Sequence, residues 1–412
     1  MATHDTSRML SGLLRASHLA TFEQLPALVA ESARYAGLDD VRVFVADLQQ
    51  DYLREVTGRG IDAGLDGQEL RIDATMAGRA FMTAQALSTV IEDREQHWLP
   101  VLDGTERLGV LRVDARPDGS GGAAEAMEAL ASVVGLLLVS KRANSDSFAR
   151  LTRVRPMTVS AEMQWTLMPP RTFANGTVTI AAQMEPAYET AGDAFDYALA
   201  ADVAHLAVFD AMGHDTAAGL TANLAMAVCR NQRRHGASLP DVCRAVEQLL
   251  VRQFGHACYT TALLADLDLV TGRLTWVTCG HLPPVLIRDG RWVTHLECPP
   301  HHPLGTELGM PLTVCREQLQ PGDRIVLYTD GITEARDAAG EEFGLGRFVD
   351  FVIRRQADGL PVPETLRRLI HAVLDHHDGK LKDDATVLIC EWHGNRQTAA
   401  HSDGAPGHRA EA

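Results

Sequence analysis

The chain has 412 residues, 46% hydrophobic and 22% charged, the balance of a globular protein and too long for one ordinary core. Its formal net charge of −16 excludes a nucleic-acid surface, which needs clustered Lys and Arg. The apolar run Val133–Val139 falls far short of the roughly 20 residues that span a bilayer. The start, MATHDTSRML, lacks the basic and apolar regions of a signal peptide, so a cytoplasmic protein is expected.

In chain order, Phe22–Ala36 has helical apolar spacing at Leu25, Leu28, Val29 and Ala33 and stops at Gly37. Val41–Val45 alternates as a half-buried strand and Leu108–Val113 reads as another, with a short helix over Thr75–Ala86 between them. This order, with GRAF near the middle and LGVLRVDA late, resembles a GAF domain. Residues 1–122 are therefore expected to form a GAF-like α/β sensor that breaks at the Gly/Ser-rich stretch Pro117–Gly122.

From Ala123 to Leu151 the pattern is helical without an obvious break, apolar at Met127, Leu130, Val134 and Leu138. It reads either as the last helix of the sensor or as a short coiled coil with a second chain, and the heptads are too few to decide. In SAEMQWTLMPP, residues 160–170, Met163, Leu167 and Met168 share a helix face that Pro169 and Pro170 end. Residues 123–170 are taken as linker helices through which a homodimer could form. From Thr177 to Trp392 β-rich and helical runs alternate, and the tail from Gly394 (394–412) is polar, small and expected to be disordered. All seven cysteines lie after residue 228, without a CxxC pair, and are read as reduced thiols. None is available to the first domain for a thiol-linked chromophore or redox switch, and the sensor's ligand stays open.

The chemistry sits at strand ends. Asp193 lies in GDAFD, Asp210 ends AHLAVFD, Asp330 ends RIVLYTD, and Asp383 with Asp384 opens DDATVLICEW. Short apolar runs of this kind read as buried strands. Acids at four such ends, with Gly192, Gly213 and Gly331 in or beside the turns, point to carboxylates converging on a divalent cation, which takes oxygen ligands. Paired ions of this kind activate water for attack on phosphate. The Ala211 carbonyl is a further candidate oxygen. Adjacent acids project differently, so one of Asp383 and Asp384 is expected to bind directly. Phe195 is expected beneath the first turn and Asp196 beside it. Asp215 reads as the N-cap of a helix starting near Thr216. His214 and His281 read as structural hydrogen-bonders, and Glu334 as either an acid near the site or a charge on a first helical turn.

ETAGDAFD, FDAMGHDTAA, CGHLPPVL, PLGTELG, LQPGDRIVLYTDGITEARD and DDATVLI occur in the order and spacing of the PPM-type bacterial serine/threonine phosphatases, the branch with the sporulation and stress-response enzymes. SAEMQWTLMPP resembles the regulatory helix that precedes their catalytic domain, and the resemblance covers about residues 155–393. It implies an α+β fold, an αββα sandwich over residues 171–393, with two Mn²⁺ or Mg²⁺ ions in a cleft at one end. Asp193, Asp210, Asp330 and Asp383 map onto the family's metal-binding acids, Asp384 less directly, and the Ala211 carbonyl onto its backbone ligand. Ala191, Ala194 and Asp215 depart from the usual residues, and none removes a ligand. The implied activity is hydrolysis of phosphoserine or phosphothreonine on a regulatory protein of the anti-sigma-factor-antagonist type, governed by the sensor. The alternative is a catalytically silent regulator that binds such a partner.

Overall fold

Val43 and Val45 point to one face of their strand and Phe44 to the other, and this period-2 split organises the first part of the chain. The computed structural model describes residues 2–91, 94–115, 122–186, 188–189, 191–213, 215–377, 381 and 383–394. It divides into two units, Met1–Pro156 and Met157–Ala412. His214, most of the expected break at Pro117–Gly122 and the tail beyond Gly394 lie outside the described residues.

The first unit runs α1 (Ala2–Ser17), α2 (Leu25–Ala33), β1 (Asp39–Ala46), β2 (Tyr52–Val56), β3 (Glu69–Arg71), α3 (Met76–Thr83), β4 (Leu87–Ile91), β5 (Arg94–Asp103), β6 (Glu106–Ala115), α4 (Gly122–Arg142) and α5 (Asp146–Thr152). The strands form one antiparallel sheet in the order β3-β2-β1-β6-β5-β4. Val43, Val45, Leu111 and Val113 pack against α1, α2 and α4. Phe44, Trp98 and Val110 pack on the other face against Ala77 and Phe81 of α3.

Three expectations change here. Ala123–Leu151 is two helices, because Ser145 adopts extended backbone and its side chain accepts from Phe148 N at 3.1 Å as an N-cap. The expected boundary at residue 122 moves to Pro156. Met127, Leu130, Val134 and Leu138 of α4 are buried in the first core, which agrees with the reading of this stretch as the last helix of the first domain and takes α4 out of the 123–170 linker. Among the described residues α4 is also the one helix long and apolar enough to cross a membrane by length and composition, and that apolar face is the one packed inward.

The second unit runs α6 (Val159–Leu167), β7 (Thr172–Ala174), β8 (Val178–Glu185), β9 (Asp193–Ala200), β10 (Val203–Ala211), α7 (Thr216–Arg234), α8 (Leu239–Phe254), β11 (Thr260–Asp268), β12 (Arg273–Cys279), β13 (Val285–Arg288) and β14 (Trp292–His295). It continues through β15 (Cys315–Gln318), β16 (Arg324–Tyr328), α9 (Asp330–Thr333), α10 (Leu345–Ala357), α11 (Val362–His376) and β17 (Ala385–Trp392). Two sheets result, ordered β15-β12-β11-β10-β9 and β14-β13-β16-β17-β8-β7. Alternation again sorts the side chains. Leu286, Leu327 and Leu388 join the core shared with the first sheet, while Ile287, Val326 and Val387 meet α10 and α11. The mixed α/β sandwich with helices outside matches the expected fold.

The cysteines differ from expectation. Cys298 and Cys315 form a disulfide across 17 residues, with Cα atoms 6.0 Å apart; the other five are free. Their spacing carries no motif, and only the fold brings the segment after β14, an edge strand of one sheet, against β15, an edge strand of the other. Disulfides are rare in the cytosol, so the cysteines no longer support a cytoplasmic location.

Candidate metal centre

The antiparallel ladders decide which acids meet. Asp193, the first residue of β9, stands directly across from Asp210 near the end of β10. In the other sheet Tyr328 of β16 pairs with Val387 of β17. The exit of β16, carrying Asp330, therefore lies beside the entry of β17, carrying Asp383 and Asp384. All five carboxylates gather at one end of the sandwich.

Burial and mutual repulsion set their electrostatics. Burial, then the charges of Asp330 and Asp383, pushes the Asp210 carboxyl up to about 7. Burial and Asp383 also raise Asp330. Asp193 is the most deeply buried and is raised well above the usual range by burial and by Asp210 and Asp384, although the Thr329 hydroxyl donates to its Oδ2 at 2.7 Å. Burial takes Asp384 to about 7 against the donation of Gly192 N to its Oδ2. Asp383 is exposed, and its Oδ1 accepts from Asp384 N at 2.9 Å. Acids drawn together without a neighbouring cation stay protonated or bind one.

The adjacent acids thus have different surroundings. Asp384 is occupied with the Gly192 amide, while Asp383 adds its charge to Asp210 and Asp330. Gly192 is required by the close approach of two loops. A Cβ there would run into the carbonyl oxygens of Ala211 and Gly213, so the Ala211 carbonyl borders the same loop. Ala211 N in turn donates to Gly192 O at 2.9 Å. Among the described residues no three acid, imidazole or thiol groups close around a single point. An all-oxygen set left open in this way suits a Mg²⁺-like ion, which keeps several waters instead of entering an all-protein cage.

Other expected residues fall into place around the acids. Asp215 caps α7, accepting from Ala218 N at 3.0 Å, and Phe195 is fully buried. Asp196 is not at the site; it is buried and pairs with Arg230 at 2.6 Å and Arg233 at 2.9 Å on α7. Glu334 ends α9, its N–H bonded to Asp330 O at 2.7 Å. His281 is buried and structural in its contacts, with Thr261 Oγ1 at 2.7 Å and Tyr328 O at 3.1 Å. Thr261 at the start of β11, Thr329 just after β16 and Gln164 on α6 carry no signal in the sequence, since each is tied to the acids only through partners that the fold supplies. Gln164 on α6 donates through Nε2 to Ala191 O at 2.9 Å and to Asp193 O at 2.5 Å.

Residues 201–393 match the family described as Stage II sporulation protein E (SpoIIE). This part of the chain is similar to the SpoIIE family. Four of the five candidate acids, Asp210, Asp330, Asp383 and Asp384, lie inside the matched segment, while Asp193 precedes it. Among curated proteins, Protein IcfG of Synechocystis is 25% identical over 136 residues, 33% of this chain and 21% of its own length. Phosphoserine phosphatase RsbU of Bacillus subtilis is 22% identical over 239 residues, 56% of this chain and 68% of its own. The crystal structure of the RsbU and RsbW domains of a Mycobacterium tuberculosis protein is similar with a TM-score of 0.47 and 25% identity, over 53% of this chain and 60% of that one. The chain thus spans about a fifth of the length of IcfG and about two-thirds of RsbU.

Proposed function

We propose that the SpoIIE-type domain is a metal-dependent protein serine/threonine phosphatase with Asp193, Asp210, Asp330 and Asp383 as its metal-holding acids. The observation that carries this is the meeting of uncompensated carboxylates at one end of the sandwich in a segment matching the SpoIIE family. Two Mn²⁺ or Mg²⁺ ions bound there would supply a low-pKa water nucleophile and neutralise the phosphoryl oxygens. The chain's own part is orientation. Asp210 and Asp330 present oxygens from facing sheets, Asp383 adds a third from the β17 entry, and the Ala211 carbonyl a fourth. Asp193 is held by Thr329, and Asp384 fixes the Gly192 loop through its amide. No cysteine nucleophile is needed.

The substrate is a phosphoserine or phosphothreonine on a regulatory protein of the anti-sigma-factor-antagonist type, a reading supported by the motif order and by the similarity to the phosphoserine phosphatase RsbU. The first unit, a helix-covered antiparallel sheet, is a GAF-like sensor. Its control reaches the acids through α6, whose Gln164 holds the backbone of Ala191 and Asp193. A homodimer is supported by the exposed Leu136 on α4 and is tested by light scattering. The deciding experiment measures phosphate release from a phosphoserine protein with added Mn²⁺. Wild type should turn over and stop on chelation; no turnover with any phosphoserine or phosphothreonine protein would leave the silent, partner-binding regulator.

A further inference from the structure

We propose that His281 is a positioning residue for this centre: it takes the single hydroxyl proton of Thr261 and so leaves the Asp210 carboxylate open to a divalent cation. The inference rests on the metal-dependent reading above.

His281 follows β12 and is buried between the two sheets' site-bearing strands. Its Nε2 lies 3.1 Å from the backbone oxygen of Tyr328, two residues before Asp330. Its Nδ1 lies 2.7 Å from Thr261 Oγ1. A carbonyl only accepts, so Nε2 must carry the ring proton. Burial holds the imidazole's pKa down to about 4, so at neutral pH the ring has one proton and Nδ1 is an acceptor. The donor to Nδ1 is then the Thr261 hydroxyl, which has one proton to give.

Thr261 stands directly opposite Asp210 in the β10–β11 ladder, where paired side chains share a face. Its hydroxyl sits on the Asp210 side of the ladder, while its hydrogen bond in the structure is to His281. Two acceptors therefore compete for one proton. With His281 holding it, Thr261 turns lone pairs toward Asp210, and the carboxylate loses a donor that would have stabilised its charge in place of a cation. The same ring clamps β11 of one sheet to the exit of β16 in the other, fixing Asp210 and Asp330 relative to each other.

The test reads Mn²⁺ binding to the full-length chain from the loss of the free-ion electron paramagnetic resonance signal, with thermal melting to confirm folding. His281→Leu should weaken Mn²⁺ binding about tenfold, because Thr261 then donates to Asp210. His281→Gln should stay within about threefold of wild type, since its amide can accept from Thr261 and donate to Tyr328 O. Adding Thr261→Val to His281→Leu should restore binding, because no hydroxyl proton is left to compete. A double variant as weak as His281→Leu alone would reduce His281 to packing and overturn the proposal. If His281→Leu does not fold, Thr261→Val decides: it should bind Mn²⁺ like wild type, and a tenfold loss would overturn the proposal. Absence of Mn²⁺ binding in wild type would instead overturn the metal-dependent reading, and this inference with it.

Discussion

Gly192 shows how little room the centre leaves at the scale of single residues. With no side chain it lets its amide reach Asp384 and its carbonyl reach Ala211 N, while the carbonyls of Ala211 and Gly213 crowd the place of a Cβ. Gly192→Ala is therefore expected to lower metal-dependent phosphate release at least about tenfold by displacing these groups. Gly176→Ala, where nothing lies within 4 Å, should be silent, and circular dichroism should show both variants folded. Equal activity in the two would mean that the loop tolerates the shift and that Ala211 is no ligand. Asp210→Asn and Asp330→Asn keep shape but remove charge, and each should abolish nearly all phosphate release at matched stability. Full activity in either removes that residue from the site.

Helices and strands are held near the acids by a few polar ties. Asp196 on β9 meets Arg230 and Arg233 of α7, and Arg230 also donates to the Leu167 carbonyl at the end of α6. One buried carboxylate thus anchors both helices that flank the first sheet's site-bearing strand. On the opposite edge the Cys298–Cys315 disulfide joins the segment that follows β14 of one sheet to β15 of the other. Closing a loop of that size restricts the unfolded chain by about 3 kcal/mol. Reductant, or the paired Cys298→Ser and Cys315→Ser changes, should therefore lower the melting temperature by several degrees. Wild type whose melting is indifferent to reductant would mean the bond contributes nothing in solution.

Across the whole molecule the centre should make stability depend on pH in an unusual direction. Folded Asp210 and Asp384 titrate near 7, against a usual value of 3.8. Between those values the folded chain holds protons that the unfolded chain has released, so stability falls as pH rises through the window. His281, depressed to about 4 from 6.5, acts oppositely, contributing stability above 6.5 that is lost as pH falls toward 4. The carboxylates outnumber it and are alone above 6.5. In chelator, the melting temperature is expected to drop from about pH 5 to about pH 7.5, with added Mn²⁺ raising it most at the upper end. A melting temperature that climbs steadily over that range in chelator would show that the acids do not face one another. Because each unit has its own core, a 157–394 fragment should fold alone. Equal dephosphorylation rates for fragment and full chain under all conditions would remove the sensor from control of the site.

Local order was enough to single out the acids that the fold brings together. Each sits where an apolar run ends, and strand ends, glycine turns and motif spacing are properties of neighbouring residues that a reading of the chain can use. The same holds for the Asp215 cap and for the division between an α/β first part and a sandwich second part. Tertiary structure alone decided the pairings. Asp193 opposite Asp210, Asp196 turned to α7, Thr261 opposite Asp210 and bonded to His281, and Cys298 bonded to Cys315 all depend on register and on which edges meet. The break at Ser145 and the capture of α4 by the first core are of the same kind. A helical period states that a face is apolar, and only the packed fold states what that face is buried against.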